Sequence, residues 1–213
     1  LTRARMVGGG AAEAMGGGAD STTGRDTQVM LVTLSLDAWM QPESLDHPGL
    51  LLRRPFDGKF NSFAQDIDAI AAKLGGLPTH PLQVANGAGL SERIPSCISE
   101  LLHHYEVPES LGKQIYEDAC SIGCVVGRMC PWAPYLELKL DIHGDNDCSR
   151  WHQDRYAGRA IVTYTGQVAT EYTSGSNVDF WELQNCGNND CIIIDVNQVR
   201  AADVGDIIFM KGI

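Results

Sequence analysis

What this sequence lacks narrows its function first. No apolar run approaches the roughly 20 residues needed to span a bilayer. The longest, Ile122 to Met129, is short and broken by glycines and Arg128. Positive charge is scarce too: 16 Lys and Arg face 27 Asp and Glu, a formal net charge of −11. A chain this acidic, with no basic stripe, repels phosphate backbones, so nucleic acid is excluded as a partner. There is no Walker pattern, and no Ser-His-Asp order with a nucleophile elbow. Gly166, Gly175 and Gly187 read as turn residues, not as a phosphate loop.

What is present suits one generous domain. The 213 residues are 44% hydrophobic and 20% charged, enough for a normal buried core. The seven cysteines are odd in number and scattered among apolar segments, which reads as reduced thiols in a reducing compartment. Cys120, Cys124 and Cys130 contain no CxxC and are followed by no matching histidine pair, so they read as structural cysteines rather than a zinc site. Cys186 and Cys191 flank Gly187-Asn188-Asn189-Asp190, a setting for packed thiols or for a hairpin disulfide.

The opening residues 1–26 are rich in Gly, Ala and Arg and poor in large apolar side chains. They read as a flexible arm, resembling the remnant of an organelle transit peptide. Such an arm gains order along a partner chain, or by packing back on the domain through a few anchors. The leucine start and the abrupt Gly212-Ile213 end are those expected of a processed or partial chain.

Residues 27–134 read as a strand plus a helical region. A strand covers Thr27 to Leu36, followed by a loop punctuated by Pro42, Pro48 and Pro55. One helix begins at Asn61 or Ser62 and ends at Gly75-Gly76. A second starts near Pro95, with Ile98, Leu101, Leu102 and Tyr105 on one face. A third starts at Glu109, with Leu111, Ile115, Ala119, Ile122 and Val126 in line. His103 and His104 sit at a helix end as surface residues favoured by the dipole.

From Tyr135 the period changes from 3.6 to 2. "YLELKLDIHG" alternates as a half-buried strand, and "RAIVTYTG", "CIIIDV" and "VGDIIFMKG" read as three more, joined only by turns. The expected architecture is α+β, with N-terminal helices packed on an antiparallel sheet formed by residues 135–213, of sandwich, jelly-roll or partial-barrel type.

One arrangement is of metal-ligand type: His152-Gln153-Asp154. On an extended segment residues two apart share a face, so an imidazole and a carboxylate reach one ion. The alternative is a hydrogen-bonded polar pair at a strand end, flanked by Trp151 and Tyr156.

Around that motif the chain resembles the double-stranded β-helix (jelly-roll) class of cupins and iron(II)/2-oxoglutarate oxygenases. There an HxD pair ends an early barrel strand, and "GDIIFMKG" resembles a later strand. More narrowly, the chain resembles a domain-of-unknown-function family, chiefly bacterial with algal members. The features carrying this are Cys148, His152 and Asp154, "GRAIVTYTG", "ATEY" (Ala169 to Tyr172) and Lys211-Gly212. Ala169 stands where that family usually has glycine. The resemblance implies a site for iron(II) on His152 and Asp154 in the intact protein, with a third histidine after the Lys-Gly strand, beyond Ile213; the chain as given is expected to hold no cofactor. It also implies that Arg159 and Tyr164 hold the carboxylates of 2-oxoglutarate. Those two residues have opposite parity on one strand, so both face inward only through a bulge.

Two function classes follow. One is a non-catalytic jelly-roll accessory or scaffold subunit with protein partners in a larger assembly, an algal organelle or photosynthetic membrane complex being one setting. The other is a non-haem iron(II)/2-oxoglutarate-dependent oxygenase-like enzyme. The plastid is one location; the cytoplasm is the other.

Overall fold

The computed structural model of the chain describes residues 30–56, 81–141, 150–153, 156–166, 169–186 and 188–212, together with the backbone of 5–7. The architecture is mixed α+β. The central sheet has four strands in the order β2 (Met30–Thr33), β3 (Gly49–Leu52), β9 (Ile207–Lys211) and β6 (Gly158–Val162). β2 and β3 run parallel, while β9 is antiparallel to both of its neighbours. A second sheet joins β1 (Arg5–Val7), β7 (Glu171–Thr173) and β8 (Arg200–Ala201), and a two-stranded one pairs β4 (Leu82–Ala85) with β5 (Tyr135–Leu138).

The two middle strands of the central sheet, β3 and β9, are buried on both faces, and the sequence says why. Gly49-Leu50-Leu51-Leu52 is apolar throughout, and all four residues are buried. Strands covered on both sides read as continuous apolar runs rather than alternations. Leu50, Leu52, Ile207 and Phe209 face a core shared with helices α1 (Leu90–His104) and α2 (Glu109–Met129). Leu51, Ile208 and Met210 face the opposite way, onto Tyr172 and Ala202 of the second sheet's region. Helices, central sheet and second sheet thus form three layers.

Several expected elements are shifted. The proline-punctuated stretch read as a loop contains a 3-10 turn at Pro42–Asp46 and then β3, bounded by Pro48 and Pro55. Helix α1 begins at Leu90, not near Pro95, and carries that proline inside it. Burial of Leu90 and Ile94 explains the extension. A Cβ at Gly123 would lie 2.7 Å from Ile94 Cδ1, so α2 admits the early turns of α1 only because glycine stands there. α2 itself matches its expected start and apolar face.

The segment "CIIIDV" is not a strand. Its first two residues end a short helix, α4 (Asn189–Ile192), and Val196–Gln198 is a 3-10 turn. Another short helix, α3 (Phe180–Asn185), interrupts a region expected to hold only turns. Local polar caps outweigh β propensity here. Asp179 accepts from the backbone N–H of Trp181 and Glu182, both at 3.0 Å, Asn188 from Asp190 at 3.1 Å, and Asp195 from Asn197 at 2.9 Å. Only an isolated Val178–Ile193 bridge remains of the strand.

The expected helix from Asn61 to Gly76 lies outside the described residues, as does most of the arm. Three residues of the arm, β1, run parallel to β7, which is the packing-back alternative over that short stretch. Among the described residues no helix is long and apolar enough to cross a membrane.

A candidate binding cleft at the edge of the central sheet

β6 is the last strand of the central sheet, and its two faces are distinct. Ala160 and Val162 pack toward the helices, and a Cβ at Gly158 would meet Phe209 on the same side. Ile161 packs toward the second sheet. The register pairs Arg159 with Met210 and Ile161 with Ile208, and Gly212 donates to the Ala157 carbonyl at 3.2 Å. In an antiparallel ladder the bonding pairs alternate. Arg159 and Ile161 therefore point their backbone groups at β9, and Gly158, Ala160 and Val162 point theirs outward. Among the described residues no strand lies on that outer edge.

A cleft of about 760 Å³ runs along it, between β6 and β5, with Ile115, Ile122 and Val126 of α2 as its wall. It is lined by every residue from Pro134 to Asp141 and from Tyr156 to Thr165. A pocket on one face of a strand would be lined by alternate residues only. Lining by both parities places the cleft against the strand edges. Arg159 lies on β6 and Tyr164 two residues beyond its end, and both line this cavity. At the mouth stand three aromatic rings that water reaches: Trp132 (70% exposed), Tyr156 (54%) and Tyr135 (46%). The Arg159 guanidinium lies 5.9 Å from the Tyr156 ring centroid.

Tyr164, which lines the cleft, also belongs to a polar knot. Arg54 donates to both carboxylate oxygens of Asp118, at 2.6 and 2.7 Å, a bidentate pair. Tyr164 donates its hydroxyl to Asp118 at 2.9 Å, and Gln114 donates to it at 3.1 Å. Arg54 Nε donates to the Gly205 carbonyl, and Phe56 lies under its guanidinium, 5.4 Å from ring centroid to Cζ. Burial pushes the Tyr164 phenol well above its ordinary range, and the Asp118 charge pushes it further, against Arg54. Burial pulls the Arg54 guanidinium down, but Asp118 outweighs it and the net shift is upward. Beside this knot, Arg53 reaches Asp206 at 2.5 Å and Asp203 at 2.6 Å. The Tyr164 phenol thus donates to Asp118 while the residue lines the cleft.

The other expected site residues are dispersed. His152 Nδ1 lies 3.0 Å from the Arg150 carbonyl oxygen, and the residue does not line the cleft. Its neighbour Trp151 is buried against Val178 and Ile192. Asp154 lies outside the described residues, so its place beside His152 does too. His103 and His104 are exposed in the last turn of α1. Cys120 and Cys124 are half-buried and Cys130 buried, all as free thiols. Cys186 and Cys191 are free thiols as well, exposed rather than packed.

Sequence reasoning passed over Arg54, Asp118 and Asp206. Asp118 had a signal: it falls between Ile115 and Ile122 on the apolar face of α2, where a carboxylate needs a buried partner. Arg54 had none, since "LLRRP" reads as a polar loop until its strand is seen. Residues 50–213 match the family described as Protein of unknown function (DUF1826). The chain belongs to that family. No curated protein and no solved structure matches it. The matched range takes in the polar knot, the cleft and its aromatic mouth, leaving out only β1 and β2 among the strands.

Proposed function

We propose that this DUF1826 chain is a non-catalytic accessory subunit that holds an extended segment of a protein partner in the cleft between β5 and β6. The observation carrying the reading is a sheet edge that no strand among the described residues covers, beside a cleft lined by both parities of two strands. Strand addition recruits the outward backbone groups of Gly158, Ala160 and Val162, and side chains of the incoming segment fall into the apolar space beside α2. Trp, Tyr and Arg dominate binding energy at protein interfaces, and all three types stand at this mouth. A strand seated there would link the central sheet to the β4–β5 pair and extend the layers toward a jelly roll. The home of such a subunit is a larger assembly, with a plastid complex one setting to search.

The test is a photo-crosslinking amino acid at Trp132 in the native host, with a control at Leu45, an exposed apolar residue outside the cleft. A single partner peptide linked at position 132 and not at 45 supports the reading. Equal or absent labelling at the two sites contradicts it.

A second reading, an iron(II)/2-oxoglutarate oxygenase, draws on Arg159 lining the cleft. Of its expected ligands only His152 lies among the described residues, and Asp154 does not. Its check is succinate formation from 2-oxoglutarate with iron(II) and oxygen, abolished by His152→Ala if the reading holds.

A further inference from the structure

A different corner of the molecule brings metal-binding chemistry together. Glu182 lies on α3 and Cys186 directly follows that helix, four residues on, where side chains share a face. Cys191 comes from α4. One ligand atom of each, a carboxylate oxygen and two sulfurs, lies within 4.8 Å of the other two. Both helices are held in place without these residues. Asp179 and Asn188 cap their starts, Asn189 accepts from the Trp151 N–H at 3.0 Å, and Ile192 is fully buried beneath. The cluster also carries charge of one sign. Asp190 acts electrostatically on the Cys191 thiol alongside Glu182, and among the described residues no Lys or Arg forms an ion pair with Glu182. Arg150, the nearby cation, donates instead to the Leu183 carbonyl at 3.3 Å.

We infer that Glu182, Cys186 and Cys191 form a zinc-class metal site with two thiolates, one carboxylate and a fourth position open to solvent. Two sulfurs and one oxygen suit a borderline-soft ion of tetrahedral preference. In such a site ligand atoms stand roughly 3.5–3.8 Å apart, by the usual metal–ligand lengths. Closing from 4.8 Å takes side-chain rotation only, because Cys186 and Cys191 are exposed. Binding is a proton exchange: each thiol gives its proton to solvent as its sulfur ligates the ion, and no electrons move. The ion ties α3 to α4. This site is independent of the cleft.

Cobalt(II) titration of the reduced full chain, followed by absorption, tests the inference. One equivalent should produce a thiolate-to-cobalt charge-transfer band that zinc abolishes. Cys186→Ser with Cys191→Ser should remove the band while the melting temperature without metal stays unchanged, since both side chains are exposed. Glu182→Gln should keep a thiolate band and weaken cobalt binding about ten-fold or more, at least the loss seen when a supporting residue is removed. A band that survives the double serine variant would assign the metal to other cysteines and overturn the site. So would the absence of any band in the reduced wild type, or an unaltered affinity in Glu182→Gln.

Discussion

The segment from Tyr156 to Thr165 ends in two opposite ways. At Tyr164 its hydroxyl enters a knot in which Arg54 supplies the positive charge that the buried Asp118 needs. At Gly158, Ala160 and Val162 the backbone faces outward beside exposed aromatic rings. A polar group that finds its partner inside the fold contributes to stability and leaves little for a ligand. An edge that no strand among the described residues covers is where binding energy remains to be gained.

The largest effect that would break this contrast falls on the knot. Asp118→Ala leaves the half-buried Arg54 guanidinium without its carboxylate; removing one partner of a fully buried pair costs about 3–5 kcal/mol, and about 2–3 kcal/mol is expected here. A large drop in the urea midpoint is expected; a drop no greater than that of a surface variant would show the knot to be ornamental. Next comes Gly158→Ala. Its Cβ would lie 2.6 Å from Phe209 and 3.2 Å from Cys130 Sγ, so overpacking of about 1–3 kcal/mol is expected in the same assay.

Tyr164→Phe removes one hydrogen bond from Asp118 and should cost about 1–2 kcal/mol at neutral pH. It also changes the alkaline limb. The folded state holds the Tyr164 proton above the ordinary phenol value of 10.0, so above that pH the unfolded chain binds fewer protons than the folded one. Stability therefore falls as pH rises past about 10, and Tyr164→Phe should flatten that fall. Unchanged slopes in melts from pH 9 to 11 would contradict the assignment. The smallest stability effect belongs to the open end. Trp132→Ala, at a mostly exposed ring, should stay within about 0.5 kcal/mol of wild type while abolishing the partner crosslink from a probe placed at Tyr135.

The sequence revealed the parts governed by periodicity. α2 and its apolar face were legible because Leu111, Ile115, Ile122 and Val126 repeat at helical spacing. β5 was legible from the alternation of Tyr135, Leu136, Glu137 and Leu138, which the burial pattern follows. β3 was hidden because a strand covered on both faces has no alternation, and its flanking prolines mimic a loop. α4 was misread because three isoleucines speak for a strand, yet only Ile192 is fully buried while Asn188 and Asp195 bend the chain around it. The cleft was half legible. Arg159 and Tyr164 were singled out, but a space between strand edges depends on which strands pair, and long-range pairing leaves no local mark.

Residue-resolved amide exchange of the full chain tests the central claim most directly. The account predicts slow exchange at Arg159 and Ile161, whose N–H groups face β9, and fast exchange at Ala160 and Val162, whose N–H groups face the cleft. A synthetic peptide of the crosslinked partner segment should then slow Ala160 and Val162 selectively. Equal protection of all four amides in the chain alone would mean that the edge is already covered, and would contradict the strand-addition account.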